Sequence, residues 1–352
     1  MSGPLTLRRV GMPGAFVLLI GSLAGPMPTW SAEGLAMRIG SFTLAPPHKP
    51  QVVVLVKSFL PGRFEGVMRV EGPAGWRILP AQKEVALAPG KTERVVFSVE
   101  QGTLSPVNRY GLAVTVEGAG NRFVHRQEVV AATAPYLRPK IDGHTDDWKD
   151  AIPVEFVTAG KKTTIATGWN RKAFCLLVSV EEERQVVWSG AGPCDAVQVA
   201  LAAQDAGVPH APQDPVGRHE FLLVTDGQRG RCFRLADAIT PLTQTQAERP
   251  LASLEVAEVE VAVSRAAAVT HYECAIPFKL LGDIRPGEGR EFCLSLLVHD
   301  PDGTGIRDWG QAAGLWPWER NPAAWSRWAG ARWGQHPPFD NRLPWGLCSS
   351  KY

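Results

Sequence analysis

From Gln51 onward the chain repeats one pattern: short apolar runs in which every second residue is hydrophobic, broken roughly every ten residues by Gly or Pro. A period of two puts alternate side chains on opposite faces of an extended strand, and helical spacing is nearly absent. Val95, Phe97 and Val99 alternate with Arg94, Val96 and Ser98, and Leu112, Val114 and Val116 alternate with Ala113, Thr115 and Glu117. Further along, Phe174, Leu176, Val178 and Val180 repeat the pattern, as do Val197, Val199 and Leu201. Tyr272, Cys274 and Ile276, then Phe292, Leu294, Leu296 and Val298, do so again. The expectation is an all-β fold of antiparallel sheets packed as sandwiches. Only Pro277 to Leu281 suggests a helical turn.

At 352 residues the chain is too long for one ordinary sandwich. Ala131 to Pro139 contains proline and lacks strand pattern, which marks the boundary. The expected organisation is a signal peptide over 1–32, a sandwich over 35–133, a linker over 134–140 and a second sandwich over 141–352. The leader reading rests on Arg8 and Arg9 followed by an apolar run from Ala15 to Leu23, too short to span a bilayer. Ser22-Leu23-Ala24 offers the small residues that a signal peptidase needs. A secreted, periplasmic or cell-surface location is therefore expected, and no later segment reads as a membrane span. Lys plus Arg exceed Asp plus Glu by 37 − 35 = 2, with no block of like charge, so nothing points to nucleic acid or anionic lipid. Two long polar or Pro-rich connections, Gln204 to Arg218 and Asp237 to Pro250, interrupt the second set of strands.

All six cysteines lie between Cys175 and Cys348. Two readings stay open: up to three disulfides in an oxidising compartment, or buried thiols acting as small hydrophobes. No C-x-x-C pair points to zinc or redox chemistry. No G-x-S-x-G, H-E-x-x-H or P-loop phrase is present, so the chain reads as a non-catalytic protein. Asp300-Pro301-Asp302-Gly303 lacks the glutamate of an EF-hand loop, having Gln311 eleven positions after Asp300, and reads as a hairpin turn.

Several phrases of the second half carry a family resemblance. Ile141-Asp142-Gly143-His144-Thr145-Asp146-Asp147-Trp148 opens it. Ala173 to Val180, Cys194 to Leu201, Tyr272 to Phe278 and Leu296 to Gly303 follow in order, and Trp316 to Trp318 with Arg320-Asn321-Pro322 close it. Across roughly 200 residues this resembles the family 9 carbohydrate-binding modules. Upstream, GPAGW, LAPGKTERVVFSV and SPVNRYGLAVTV resemble the immunoglobulin-like domains appended to bacterial secreted glycosidases. The resemblance implies a jelly-roll-type sandwich that holds the end of a polysaccharide or oligosaccharide between two tryptophans. It also implies a glycosidase as working partner and, in some members, structural calcium, here placed near Asp142 and Asp146.

Sugar recognition has a simple physical basis. A pyranose has apolar C–H faces and a polar rim, so flat aromatic rings pack its faces while amides and carboxylates hold its edge. Seven of the twelve tryptophans lie in the last 45 residues. By position in the resemblance, Trp318 and Trp188 take the two sugar faces, Trp316 replaces Trp318 if the register slips by two, and Asp195, Gln198 and Asn321 form the rim. Gln198 stands where the family has a carboxylate, and Leu222 follows Phe221 where sugar-binding members have an arginine. Two other readings remain. One is a structural or adhesive surface protein. The other is a haem-binding redox sandwich, for which every methionine precedes the second domain and only His219, His271 or His299 would supply ligands.

Overall fold

The computed structural model describes residues 34–190, 192–203, 218–238, 250–312 and 346–350. Its first eight strands are β1 (Leu35–Ile39), β2 (Gln51–Ser58), β3 (Phe64–Glu71), β4 (Arg77–Leu79), β5 (Lys83–Leu87), β6 (Thr92–Gln101), β7 (Tyr110–Gly118) and β8 (Asn121–Val129). They form two antiparallel sheets of order β1-β2-β6-β4 and β5-β3-β7-β8. The period-two pattern decides what each strand buries. Val52, Val54 and Val56 of β2 and Leu112, Val114 and Val116 of β7 point into one core, closed by Phe42, Phe97 and Met68. Strands β7 and β8 meet through Ala119 and Gly120, both at positive φ (49° and 76°). That geometry matches the right-handed twist of the paired strands and favours a residue without a Cβ at the second position.

The second sandwich holds β9 (Val154–Thr158), β10 (Lys161–Trp169), β11 (Ala173–Glu181), β12 (Ala196–Ala203), β13 (Arg218–Thr225) and β14 (Gly230–Ala236). It continues with β15 (Glu260–Ala266), β16 (Val269–Pro277), β17 (Glu291–Asp300), β18 (Gly305–Asp308) and β19 (Gly346–Ser349). One sheet runs β15-β16-β11-β10-β9; the other runs β14-β13-β12-β17-β18, with β19 also paired to β17. The inward residues are those the alternation singled out: Phe174, Leu176, Val178, Val197, Val199, Leu201, Tyr272, Cys274, Leu294, Leu296 and Val298 all belong to one core. The all-β sandwich fold expected from the sequence is thus the fold observed. A single 3-10 turn at Phe278–Leu280 follows β16, where Pro277 to Leu281 suggested one. Residues 301–304 make the turn of the β17–β18 hairpin.

The boundary segment is fastened down along its length. Ala131 belongs to the first core and Ala132 and Ala134 to the second. Ala132 N–H donates to Phe42 O, Ala134 N–H to Ser349 O and Leu137 N–H to Trp169 O. The side chain of Asn108 adds a clamp: Nδ2 donates to Ala131 O (3.0 Å) and Pro153 O (2.9 Å), and Oδ1 accepts from Ala131 N–H (3.0 Å). Arg109 Nη2 reaches Glu155 O and Thr43 Oγ1 reaches Glu291 Oε1, so each sandwich holds the other by polar contacts. All six cysteines are buried and none is joined in a disulfide, which closes the choice left open by the sequence in favour of buried thiols. Among the described residues, no helix is long and apolar enough to cross a membrane.

Candidate functional site

Of the rim residues in the described part of the second sandwich, Gln198 lies on strand β12 and Asp195 immediately precedes that strand, and the two-residue period separates them. Val197, Val199 and Leu201 face the core between the sheets, so Ala196, Gln198 and Ala200 face outward. In the same row, Gln198 is flanked by Leu222 of β13 and Leu297 of β17. Gln198 Oε1 bonds to His299 Nε2 at 3.0 Å, and Gln198 Nε2 donates to Glu220 Oε2 at 3.4 Å. The outward face therefore holds a polar row of imidazole, amide and carboxylate on an otherwise apolar sheet surface. All three side chains are buried. Burial pushes the His299 imidazole down to about 3, so the ring is neutral, and its Nε2–H donates to Gln198 Oε1.

Trp188 lies on the same side of the sheet as Gln198. The connection from β11 to β12 docks on β13 through Trp188 N–H to Thr225 O, and the indole packs among Cys194, Ala196, Leu222, Val224 and Phe233. Its ring meets Phe233 edge-on at 5.0 Å, and the Arg231 guanidinium sits 5.5 Å from its centroid. Arg231 is itself pinned by Asp226 and Glu255. The ring is 9% exposed, so this tryptophan is built into the outer layer rather than held out from it.

Asp195 is elsewhere. It stands three positions before Gln198, an odd offset, so it points inward at the end of the sandwich, where both sheets contribute charged groups. From one sheet come Glu182, Thr270, Arg265 and Thr163; from the other come Asp195, Asp300 and Arg307. Arg307 is fully buried and bonds Asp300 Oδ2 (2.8 Å), Glu181 O (2.7 Å), Lys162 O and Thr163 Oγ1, tying the two sheets together. Glu182 accepts from Arg265 Nη1 (3.1 Å) and from Thr270 Oγ1. Asp300 Oδ2 also takes the N–H and hydroxyl of Thr304. Asp302 accepts from Arg184 Nε, and Asp195 Oδ2 accepts from Val186 N–H. Asp195, Asp300 and Asp302 offer ligand oxygens within 4.8 Å of one another, the one such group of three among the described residues. The sequence hint was available in hindsight: Asp195 and Asp300 end two strands that pair in register, Ala196 opposite His299.

Asp142 and Asp146 are exposed, and neither belongs to that group. Their phrase is organised by a different residue. Glu273 of β16, fully buried, accepts from Trp148 Nε1 (2.7 Å) and Gly143 N–H (2.6 Å), and Asp142 Oδ1 accepts from His144 N–H. The three histidines considered for haem do not converge. His219 points inward opposite Leu201 and bonds Arg234, His271 bonds Ser179 Oγ on the outer side of the other sheet, and His299 faces outward. Trp316, Trp318 and Asn321, like the signal-peptide segment and most of both long connections, lie outside the described residues.

No protein-family model matches the chain, and no curated protein matches it. Among solved structures, a family 9 carbohydrate-binding module from Caldicellulosiruptor kristjanssonii in complex with cellotriose is 16% identical, with a TM-score of 0.34 over 50% of this chain and 80% of that one. The same module in complex with glucose matches equally, over 50% and 81%. The E. coli chaperone DraB matches with 10% identity and a TM-score of 0.21, over 59% of this chain and 93% of that one. At these scores the fold rests on the strand pairings described above, not on the likeness.

Proposed function

We propose that the chain is an exported, non-catalytic carbohydrate-binding protein that holds the end of a polysaccharide or oligosaccharide on the outward face of the β14-β13-β12-β17-β18 sheet. The observation that carries this reading is the polar row of Gln198, Glu220 and His299 at the centre of that face. In this reading the row, buried and bonded within itself beside Leu222, Leu297 and Trp188, is the fixed polar floor over which the sugar would be held. It lies where the family resemblance puts the rim, with Gln198 in the carboxylate's place. In this reading Trp318, or Trp316, stacks on the sugar, Asn321 completes the rim, and Trp188 backs the floor. The first sandwich is an immunoglobulin-like spacer, and a glycosidase is the working partner.

A glycan array with the full chain tests the class of ligand, followed by titration of the best oligosaccharide. Trp318→Ala is expected to weaken binding by roughly thirty-fold or more, since losing an aromatic anchor costs about 2–4 kcal/mol, and Gln198→Ala is expected to weaken it by less. Trp188→Ala is expected to lower the melting temperature first, because the ring is packed in a core cluster. Absence of any glycan ligand on the array, with the chain folded, would defeat the reading.

A further inference from the structure

We propose that the groove between the two sandwiches takes one extended peptide segment of another protein, added as a strand to the open edge of β9. The inference is independent of the sugar-binding reading, because β9 belongs to the other sheet of the second sandwich.

The edge comes first. β9 ends its sheet and pairs with β10 on one side. Successive residues of an antiparallel strand turn their backbone groups alternately toward and away from a given neighbour. Two contacts fix the phase here. Trp169 of β10 donates its N–H to Pro135 O and accepts at its own O from Leu137 N–H, on the side of β10 away from β11, so Ile165 and Thr163 turn to that side and face Val154 and Phe156. From the first sandwich, Arg109 Nη2 reaches Glu155 O, which places the groups of Glu155 away from β10. Val157, two residues on, therefore presents its N–H and O at the edge, and among the described residues neither has a partner. The residue is 56% exposed, an apolar side chain on an open strand edge. Such an edge is a template for a further strand.

The second observation is the space beside it. The edge borders a cavity of about 270 Å³ floored by Phe156 and Trp309 and banked by Arg109 and by Gln127, Glu128 and Val129 of β8. It continues over Gly111 and Ala113 as a trough of about 360 Å³ that shares Gln127 and Glu128. An elongated space at the junction of two domains, apolar below and polar along its banks, fits an extended chain.

Chemistry decides the occupant. Glu71, Glu128 and Glu155 line the two parts against Arg109 and Arg126, an excess of 3 − 2 = 1 acid. The side chain of Glu128 is 66% exposed and meets Arg109 at 3.4 Å, which leaves its carboxylate accessible to a basic residue of the segment. Phe156 and Trp309 are 3% and 5% exposed, so no open ring face is offered to a sugar. Pairing with the sheet edge of a second copy would use both outward residues of β9, and Arg109 already holds Glu155 O. A single peptide needs only the open pair at Val157. Strand addition of this kind draws affinity from main-chain hydrogen bonds and specificity from alternate side chains, here apolar ones beside Val157 and one lysine or arginine toward Glu128.

The test uses the full chain and end-blocked peptides that alternate valine with threonine around one lysine. Two control peptides carry methyl groups on alternate backbone nitrogens or glutamate in place of the lysine. Fluorescence anisotropy reads affinity for the parent, Val157→Pro and Glu128→Lys, and amide exchange reads the Val157 N–H. The lysine peptide should bind the parent and slow exchange at Val157, and the methylated peptide should do neither. Val157→Pro removes an N–H that makes no ladder bond, so the fold should persist while affinity falls roughly three- to ten-fold, the loss of one backbone hydrogen bond. Glu128→Lys should weaken the lysine peptide and strengthen the glutamate peptide. If Val157→Pro melts well below the parent, the charge exchange at Glu128 and the Val157 amide decide. No binding of the lysine peptide, equal binding of the methylated one, or affinities unchanged in both variants would each overturn the proposal.

Discussion

The acid of Asp195 is set by its surroundings in a way that has a signed consequence for stability. Its folded value of about 7 lies well above the 3.8 of a free aspartate, so between those values the native state holds a proton that the unfolded chain has lost. Raising the pH through this window therefore removes stability. The groups that face it are Glu182 at the end of β11, Asp300 and Asp302 in the β17–β18 hairpin, Tyr272 of β16 and the Cys194 thiol beside it, with Arg307 and Arg265 on the flanks. The difference in unfolding free energy between the parent and Asp195→Asn isolates this residue from other titrating groups. That difference should move against the parent as pH rises from about 4 to about 8. A pH-independent difference would show that Asp195 titrates normally.

Among the elements, the strands were legible because burial follows the alternation directly. Phe174 to Val180, Val197 to Leu201 and Phe292 to Val298 point inward as their period requires. The same rule separates Asp195 from Gln198, and grouping both on one rim overlooked it, since residues three apart on a strand face opposite ways. Glu182, Arg265 and Arg307 could not be read from sequence as partners of Asp195 and Asp300, because the charged closure at the sandwich end is assembled from strands far apart in the chain. The boundary was legible as a loss of strand pattern but not as a docked segment, because its hydrogen bonds go to Phe42, Trp169 and Ser349. Asn108 clamps that segment from a left-handed backbone position, φ 49°, which asparagine tolerates better than alanine. Asn108→Ala should cost about 2–4 kcal/mol through three lost hydrogen bonds and added backbone strain, read as a lower denaturation midpoint.

At the scale of the whole molecule, the two cores are joined by a short buried segment rather than by a tether, and the polar contacts of Thr43, Asn108 and Arg109 cross between them. The six thiols are spread through the second sandwich and its outer layers, all buried. Burial pushes the thiols of Cys175, Cys194 and Cys348 up to about 12 and that of Cys274 well above its ordinary value, so in the folded chain they remain protonated at neutral pH. A thiol-specific dye should therefore label the native chain at almost none of its six cysteines and all six after denaturation, with the same gel mobility whether or not a reductant is added. Fast labelling of the native chain would refute the packing. A chain with that behaviour matures without an oxidant, and its folded state is indifferent to the redox poise of whatever compartment receives it.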